Sequence, residues 1–137
     1  MTSPATPRRD ARERAMELLY EAKSKGDDVA TIVASLPLPP DSYAASLALG
    51  AGDPDHEVAA MDLIRRFARK DWPVDRLPQL DVIILRLAIE ELQHQLDVPK
   101  AVVIDEAVEL AKLFSTEDSG RFINGMLSSI ADDIGRA

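Results

Sequence analysis

The chain has 137 residues, a net charge of −8 at neutral pH and no cysteine. That length supports one self-sufficient domain over 1–137, and the missing thiols exclude a disulfide framework, a thiolate metal centre and a cysteine nucleophile. No run of about 18 apolar residues occurs, and the opening MTSPATPRRDARER has no apolar stretch, so a soluble protein of the reducing cytoplasm is expected. The charge is unevenly spread. Residues 1–14 hold Arg8, Arg9, Arg12 and Arg14 against Asp10 and Glu13, leaving +2, so the rest of the chain carries −10 of the net −8. A basic tip on an acidic body suggests local contact with a nucleic acid and a separate acidic face for a basic partner.

Thr6-Pro7 reads as an N-cap and first helical residue, and Gly26 as the stop of a first helix over 7–25. Its Ala11, Ala15, Leu18, Leu19 and Ala22 form one apolar stripe, with the arginines projecting elsewhere. Asp27 and Asp28 can cap a short second helix that ends before Leu36. Pro37, Pro39 and Pro40 then demand an extended connection. A third helix runs from Ser42 to about Leu49 and is broken by Gly50, Gly52 and Asp53-Pro54; Pro54 opens a fourth that continues to about Lys70. Leu80, Ile83, Ile84, Leu87, Ala88 and Leu92 give the strongest helical period in the chain. Val103, Ile104, Ala107, Val108, Ala111 and Phe114 give a sixth helix, and Phe122, Ile123, Met126, Leu127, Ile130 and Ile134 a seventh, capped by Ser115, Thr116 or Ser119. No sustained alternation of period two marks a strand. The fold class expected is all-α, a compact bundle of about seven helices.

Cations at a helix N-terminus oppose its dipole, so the clustered arginines of the first helix call for another purpose. Arg8 and Arg12 share a face and Arg9 lies about 100° away, an arrangement that can bracket a phosphate backbone or simply remain a solvated tip. Arg65, Arg66, Arg69 and Lys70 read as a salt-bridged outer face, with Asp62 spaced to pair with Arg66. Glu91 and His94 match the Glu-x-x-His spacing of carboxylate-bridged di-iron bundles. Such a site needs two copies, and the only other histidine, His56, sits beside a helix break, so no metal is expected. Asp105 and Glu109, four apart, lack a visible catalytic partner. No Gly-rich phosphate loop or nucleophile elbow occurs, so neither an enzyme nor a cofactor is expected. Gly125 stands inside an apolar helical pattern, where glycine costs about 1 kcal/mol relative to alanine. Close approach of a helix, or backbone left open to a ligand beside Phe122, would account for it. Phe122 falls in the stripe and by default is core, although an exposed ring here can stack an unpaired base.

The RRDARE of residues 8–13 with Leu18-Leu19-Tyr20, the central RLPQLDVIILRLAIEEL of 76–92 and the stretch DVPKAVVIDEAVELAKLFSTEDSGRFINGMLSSI of 97–130 together resemble the NusB family. The last segment follows that family's "INEAVELAK" helix, "TEDS" turn and "FVNGVL" helix almost position by position. The resemblance implies an all-helical fold of two small sub-bundles and binding of the boxA RNA element in ribosomal RNA transcripts. It also implies pairing with NusE, the small-subunit ribosomal protein, within the antitermination complex of RNA polymerase, and allows a homodimer. By motif position, Arg8, Arg9 and Arg12 would hold phosphates; Lys112, Asp118, Arg121 and Phe122 would line the RNA path; Tyr20 and Asp81 would meet the protein partner. Asp10, Asp105 and Glu90 depart from the family pattern toward acid, so the basic partner is expected to supply much of the phosphate attraction. Two other roles fit such a domain. One is RNA recognition for a separate ribosomal RNA methyltransferase, since the chain ends at Ala137 with no catalytic domain of its own; the other is a module for protein interaction alone.

Overall fold

The computed structural model describes residues 6–137, with side chains from Pro7 onward. Seven α-helices follow in order among these residues: α1 (Thr6–Lys25), α2 (Val29–Ala34), α3 (Ser42–Gly52), α4 (Pro54–Phe67), α5 (Gln79–His94), α6 (Lys100–Phe114) and α7 (Glu117–Asp133). A 3₁₀ turn at Val74–Arg76 precedes α5. An isolated bridge between Arg69 and Trp72 is the only β pairing described. No described helix is long and apolar enough to cross a membrane.

Local chemistry sets most of the helix ends. The Asp28 carboxylate accepts from the Thr31 amide (2.8 Å) to start α2, and Asp41 accepts from the amides of Tyr43 and Ala44 to start α3. Thr116 accepts from the Ser119 amide at 3.0 Å to start α7, which selects among its three candidate caps. The capping role expected of Thr6 lies outside the described side chains. The third helix continues through Gly50 to Gly52, and Asp53 both ends it and caps α4. The fourth stops at Phe67, short of Lys70, because Ala68 turns extended and the chain folds back through the Arg69–Trp72 bridge.

The buried apolar side chains form one connected core, drawn from every helix. Helix α5 lies at its centre and touches α1, α3, α4, α6 and α7. On one side α1, α2 and α3 pack together; on the other α6 and α7 pair along their lengths. The two groups share α5 as a common wall. A helix surrounded in this way is apolar on every face, and Ile83, Ile84, Leu85, Leu87, Ala88, Ile89 and Leu92 are all buried.

Four charged residues of α5 are buried with them: Asp81, Arg86, Glu90 and Glu91. An ion removed from water must find a partner or lose its charge, and each has a polar neighbour. Arg86 donates to the Ala51 carbonyl (2.9 Å) and pairs with Glu57 (2.8 Å); burial lowers its pKa, an effect opposed by Glu57. At the far end of α5, the Arg136 guanidinium donates to the carbonyl of Leu92 in the last turn, an acceptor the helix terminus leaves free, and to those of Gln95 and Val98 in the loop beyond it.

Candidate nucleic-acid interface

Helix α1 sends its arginines in three directions. Arg8 is exposed and lies over the Tyr43 ring of α3, its guanidinium carbon 3.7 Å from the centroid. Arg9 projects toward α6 and pairs with Glu106 at 2.7 Å; that hydrogen bond and charge raise its pKa while about half its side chain stays exposed. Arg12 turns inward. Its Nε and Nη2 donate to the Glu91 carboxylate at 2.9 and 2.6 Å, its Nη1 lies 3.3 Å from Glu106, and the residue is only 6% exposed. Burial works against the charge on Arg12, yet the hydrogen bond to Glu91 and its charge hold the pKa above the ordinary value. The Tyr43 hydroxyl donates to the same carboxylate at 2.6 Å, and burial followed by this bond pushes the phenol above its usual pKa.

Arg12 therefore departs from the expectation of a phosphate ligand. It ties α1 to α5 and α6 from within, and through Glu106 it orients Arg9. The physical reason is helical spacing: Met16 and Leu19, four and seven residues on, are buried, so Arg12 stands at the head of a stripe that faces the core.

Of the four remaining cations expected to meet RNA, Arg8 lies apart over Tyr43, and the other three come together from α1, α6 and α7. Arg9, Lys112 and Arg121 line one open groove of about 560 Å³, together with Asp105, Glu106 and Glu109. Gly120 accounts for the position of Lys112. A Cβ there would lie 3.2 Å from Cγ and 3.4 Å from Cε of Lys112, so the bare backbone lets the lysine stem lie across the start of α7 with its ammonium in the groove. Each cation has an acidic neighbour: Arg9 has Glu106, Lys112 has Glu109 at 4.0 Å, and Arg121 pairs closely with Asp118. Three cations against Asp105, Glu106 and Glu109 leave the groove lining without net charge.

Arg121 also borders a second cavity of about 540 Å³, lined by Phe67, Trp72, Asp118, Phe122 and Gly125 among others. Phe122 is half-buried, its ring centroid 4.9 Å from that of Trp72 at an interplanar angle of 49°. It is neither a core side chain nor a free one: it packs partly against the core and borders this cavity. Nothing lies within 4 Å of a Cβ built on Gly125, so helix packing does not require glycine there, and the bare backbone opens onto the cavity. Gly125→Ala is accordingly expected to raise stability by about 0.5–1 kcal/mol through helix propensity alone. A rise of a few degrees in the thermal melt checks this; a fall would reveal a contact that the methyl group disturbs.

Asp81, expected at a partner surface, is fully buried instead. One carboxylate oxygen accepts from the Ser119 hydroxyl at 2.7 Å and the other has no partner. Asp81 thus fastens the first turn of α5 to the first turn of α7, which gives the TEDS turn a structural role: Thr116 caps the helix and Ser119 locks it to α5. Tyr20 is 45% exposed on the outside of α1, open to another molecule. The second basic cluster pairs along its surface, with a changed partner: Arg65 meets Asp62 (3.5 Å), Arg66 meets Asp133 (2.7 Å) and Arg69 meets Asp71 (2.8 Å).

Comparison with known proteins covers these same elements. The model of the NusB family matches residues 9–132. A transcription antitermination protein NusB of Sorangium cellulosum (strain So ce56) is 36% identical over 135 residues, spanning 94% of this chain and 94% of the relative. A solved structure of T. maritima NusB superposes with a TM-score of 0.79 at 35% identity, covering 97% of this chain and 94% of that one. Since the match runs from Arg9 in α1 to Asp132 in the last turn of α7, the chain belongs to the NusB family.

Proposed function

We propose that this protein is a transcription antitermination factor of the cytoplasm that binds single-stranded boxA RNA of ribosomal RNA transcripts together with the ribosomal protein NusE. Within the antitermination complex of RNA polymerase it acts by positioning and turns over no substrate. The observation that carries the reading is the convergence of Arg9, Lys112 and Arg121 in one groove beside the cavity at Phe122 and Asp118. Cations on a rail hold successive phosphates, an aromatic edge stacks a splayed base and a carboxylate accepts from a base amino group. Exposed Arg8, in the first turn of α1 beside Tyr43, offers a further cation for the RNA, and Tyr20 offers a place for the protein partner.

The same groove accounts for dependence on that partner. Its cations are matched by carboxylates, so the net field that draws RNA to a basic surface is absent from this chain alone. A basic ribosomal protein docked on the acidic body restores it. The test is fluorescence anisotropy of a labelled boxA oligonucleotide against the full chain, with and without the ribosomal protein, as salt is raised. Binding is expected to be markedly tighter with the partner and to weaken as salt rises. Equal affinity in both arms overturns the dependence, and binding no better than to a scrambled oligonucleotide in either arm overturns RNA recognition. That last result would favour a module for protein interaction alone, the reading that the charge-balanced groove also suits.

A further inference from the structure

Away from the groove, α4 and α5 bring together His56, Glu90 and His94, whose ligand atoms all lie within 4.8 Å of one another. His56 Nδ1 is 2.9 Å from Glu90 Oε1, and His94 Nε2 is 4.0 Å from the same oxygen. The imidazole rings stack with centroids 4.6 Å apart and planes 7° from parallel. We propose that these three side chains form a binding site for a divalent metal of the zinc class, with two imidazole nitrogens and one carboxylate oxygen as ligands.

Three features favour a built site over a chance cluster. Glu90 is only 7% exposed, and a Cβ on Gly50 would collide with its carboxylate, so α3 carries glycine where the acid is seated. Glu90 and His94 are four residues apart on α5, the spacing that puts two ligands on one helix face. The first turn of α4 that carries His56 is itself held, its amide donating to the Asp53 cap at 3.2 Å. The carboxylate is therefore fixed while the two imidazoles remain about 40% exposed, leaving a solvent side where water completes the coordination.

The geometry fits the metal class. Zinc bonds to nitrogen and oxygen of about 2.0–2.2 Å in a tetrahedral arrangement set neighbouring ligand atoms roughly 3.3–3.5 Å apart. The two nitrogen-to-carboxylate distances of 2.9 and 4.0 Å bracket that spacing, and the two imidazole nitrogens, within 4.8 Å of each other, must close in as well. Coordination needs His56 to draw back and His94 to approach by roughly half an ångström each, within the range of small side-chain rotations. Borderline nitrogen donors select zinc, cobalt, nickel and copper over the oxygen-seeking magnesium and calcium. The bound ion would supply a counter-charge for the buried Glu90 and staple the start of α4 to the end of α5. The Glu91–His94 spacing, from which no metal was expected for want of a second copy, is not the pair that converges: Glu91 is held by Arg12, and Glu90, one residue earlier, meets both histidines.

The test uses the full chain without an affinity tag, stripped with chelator. Titration calorimetry with zinc is expected to show one equivalent bound. Thermal unfolding should move up by several degrees at about a hundredfold excess over Kd, with magnesium and calcium giving no shift. Cobalt(II) in place of zinc should show the visible absorption bands of a tetrahedral site. His94→Ala removes an exposed ligand at little risk to the fold and is expected to weaken zinc binding by about tenfold or more and abolish the cobalt bands. Glu90→Gln tests the buried ligand, with circular dichroism to confirm folding. Absence of zinc binding by the intact chain, or stoichiometric binding undiminished in the folded His94→Ala variant, overturns the site.

Discussion

Arg12→Ala is expected to lower the unfolding free energy by about 3–5 kcal/mol, the range for breaking a buried ion pair from one side. The substitution leaves the Glu91 carboxylate beneath α1 with only the Tyr43 hydroxyl as donor, and a buried anion without its counter-ion pays most of its desolvation cost. For a chain of this length the Tm should fall by about 10–20 °C. Glu91→Leu combined with Arg12→Met should cost far less than either one-sided change, because an apolar pair of similar size removes both charges together. The exposed Arg14–Glu17 pair, at 3.3 Å, provides the contrast: Arg14→Ala should alter stability by less than about 1 kcal/mol. Thermal and urea unfolding of these variants, with the two single changes of the apolar pair, measures all of this. Equal effects for Arg12→Ala and Arg14→Ala would show that Arg12 works at the surface after all.

Replacing Arg9, Lys112 and Arg121 together by alanine is expected to have the largest effect on RNA binding while leaving the fold intact, since all three side chains are substantially exposed. Each phosphate contact contributes about 0.7 to the slope of log affinity against log salt for a single strand. The triple variant, measured with the partner present, should therefore show a slope shallower by about 2. Glu109→Gln should act in the opposite direction, because it frees Lys112 from its carboxylate neighbour and gives the groove a net positive charge. An unchanged slope in the triple variant would remove this groove from the RNA path, whereas a loss of affinity without a change in slope would point to contacts with bases in place of phosphates.

What could be read along the chain was local. Apolar residues recurring at three and four positions, prolines at 37, 39 and 40, and caps such as Asp28 and Thr116 act through neighbouring backbone, so helix count and most helix ends followed from the sequence, as did the NusB likeness carried by its motifs. Val82, Leu85 and Ile89 lie on the face of α5 opposite the stripe that carried its periodicity, and only the packing of five helices around α5 explains why that face is apolar too. The fate of charged side chains was not local. Arg12 meets Glu91 across 79 positions, Ser119 meets Asp81 across 38 and His56 meets Glu90 across 34. Whether such a group faces solvent or is sealed away depends on which distant helix covers it, and desolvation then decides whether it holds the fold together or stays available to a ligand. Packing around α5 alone made Arg12 and Asp81 internal ties, kept Arg9, Lys112 and Arg121 in one groove, and gathered two histidines around a buried carboxylate.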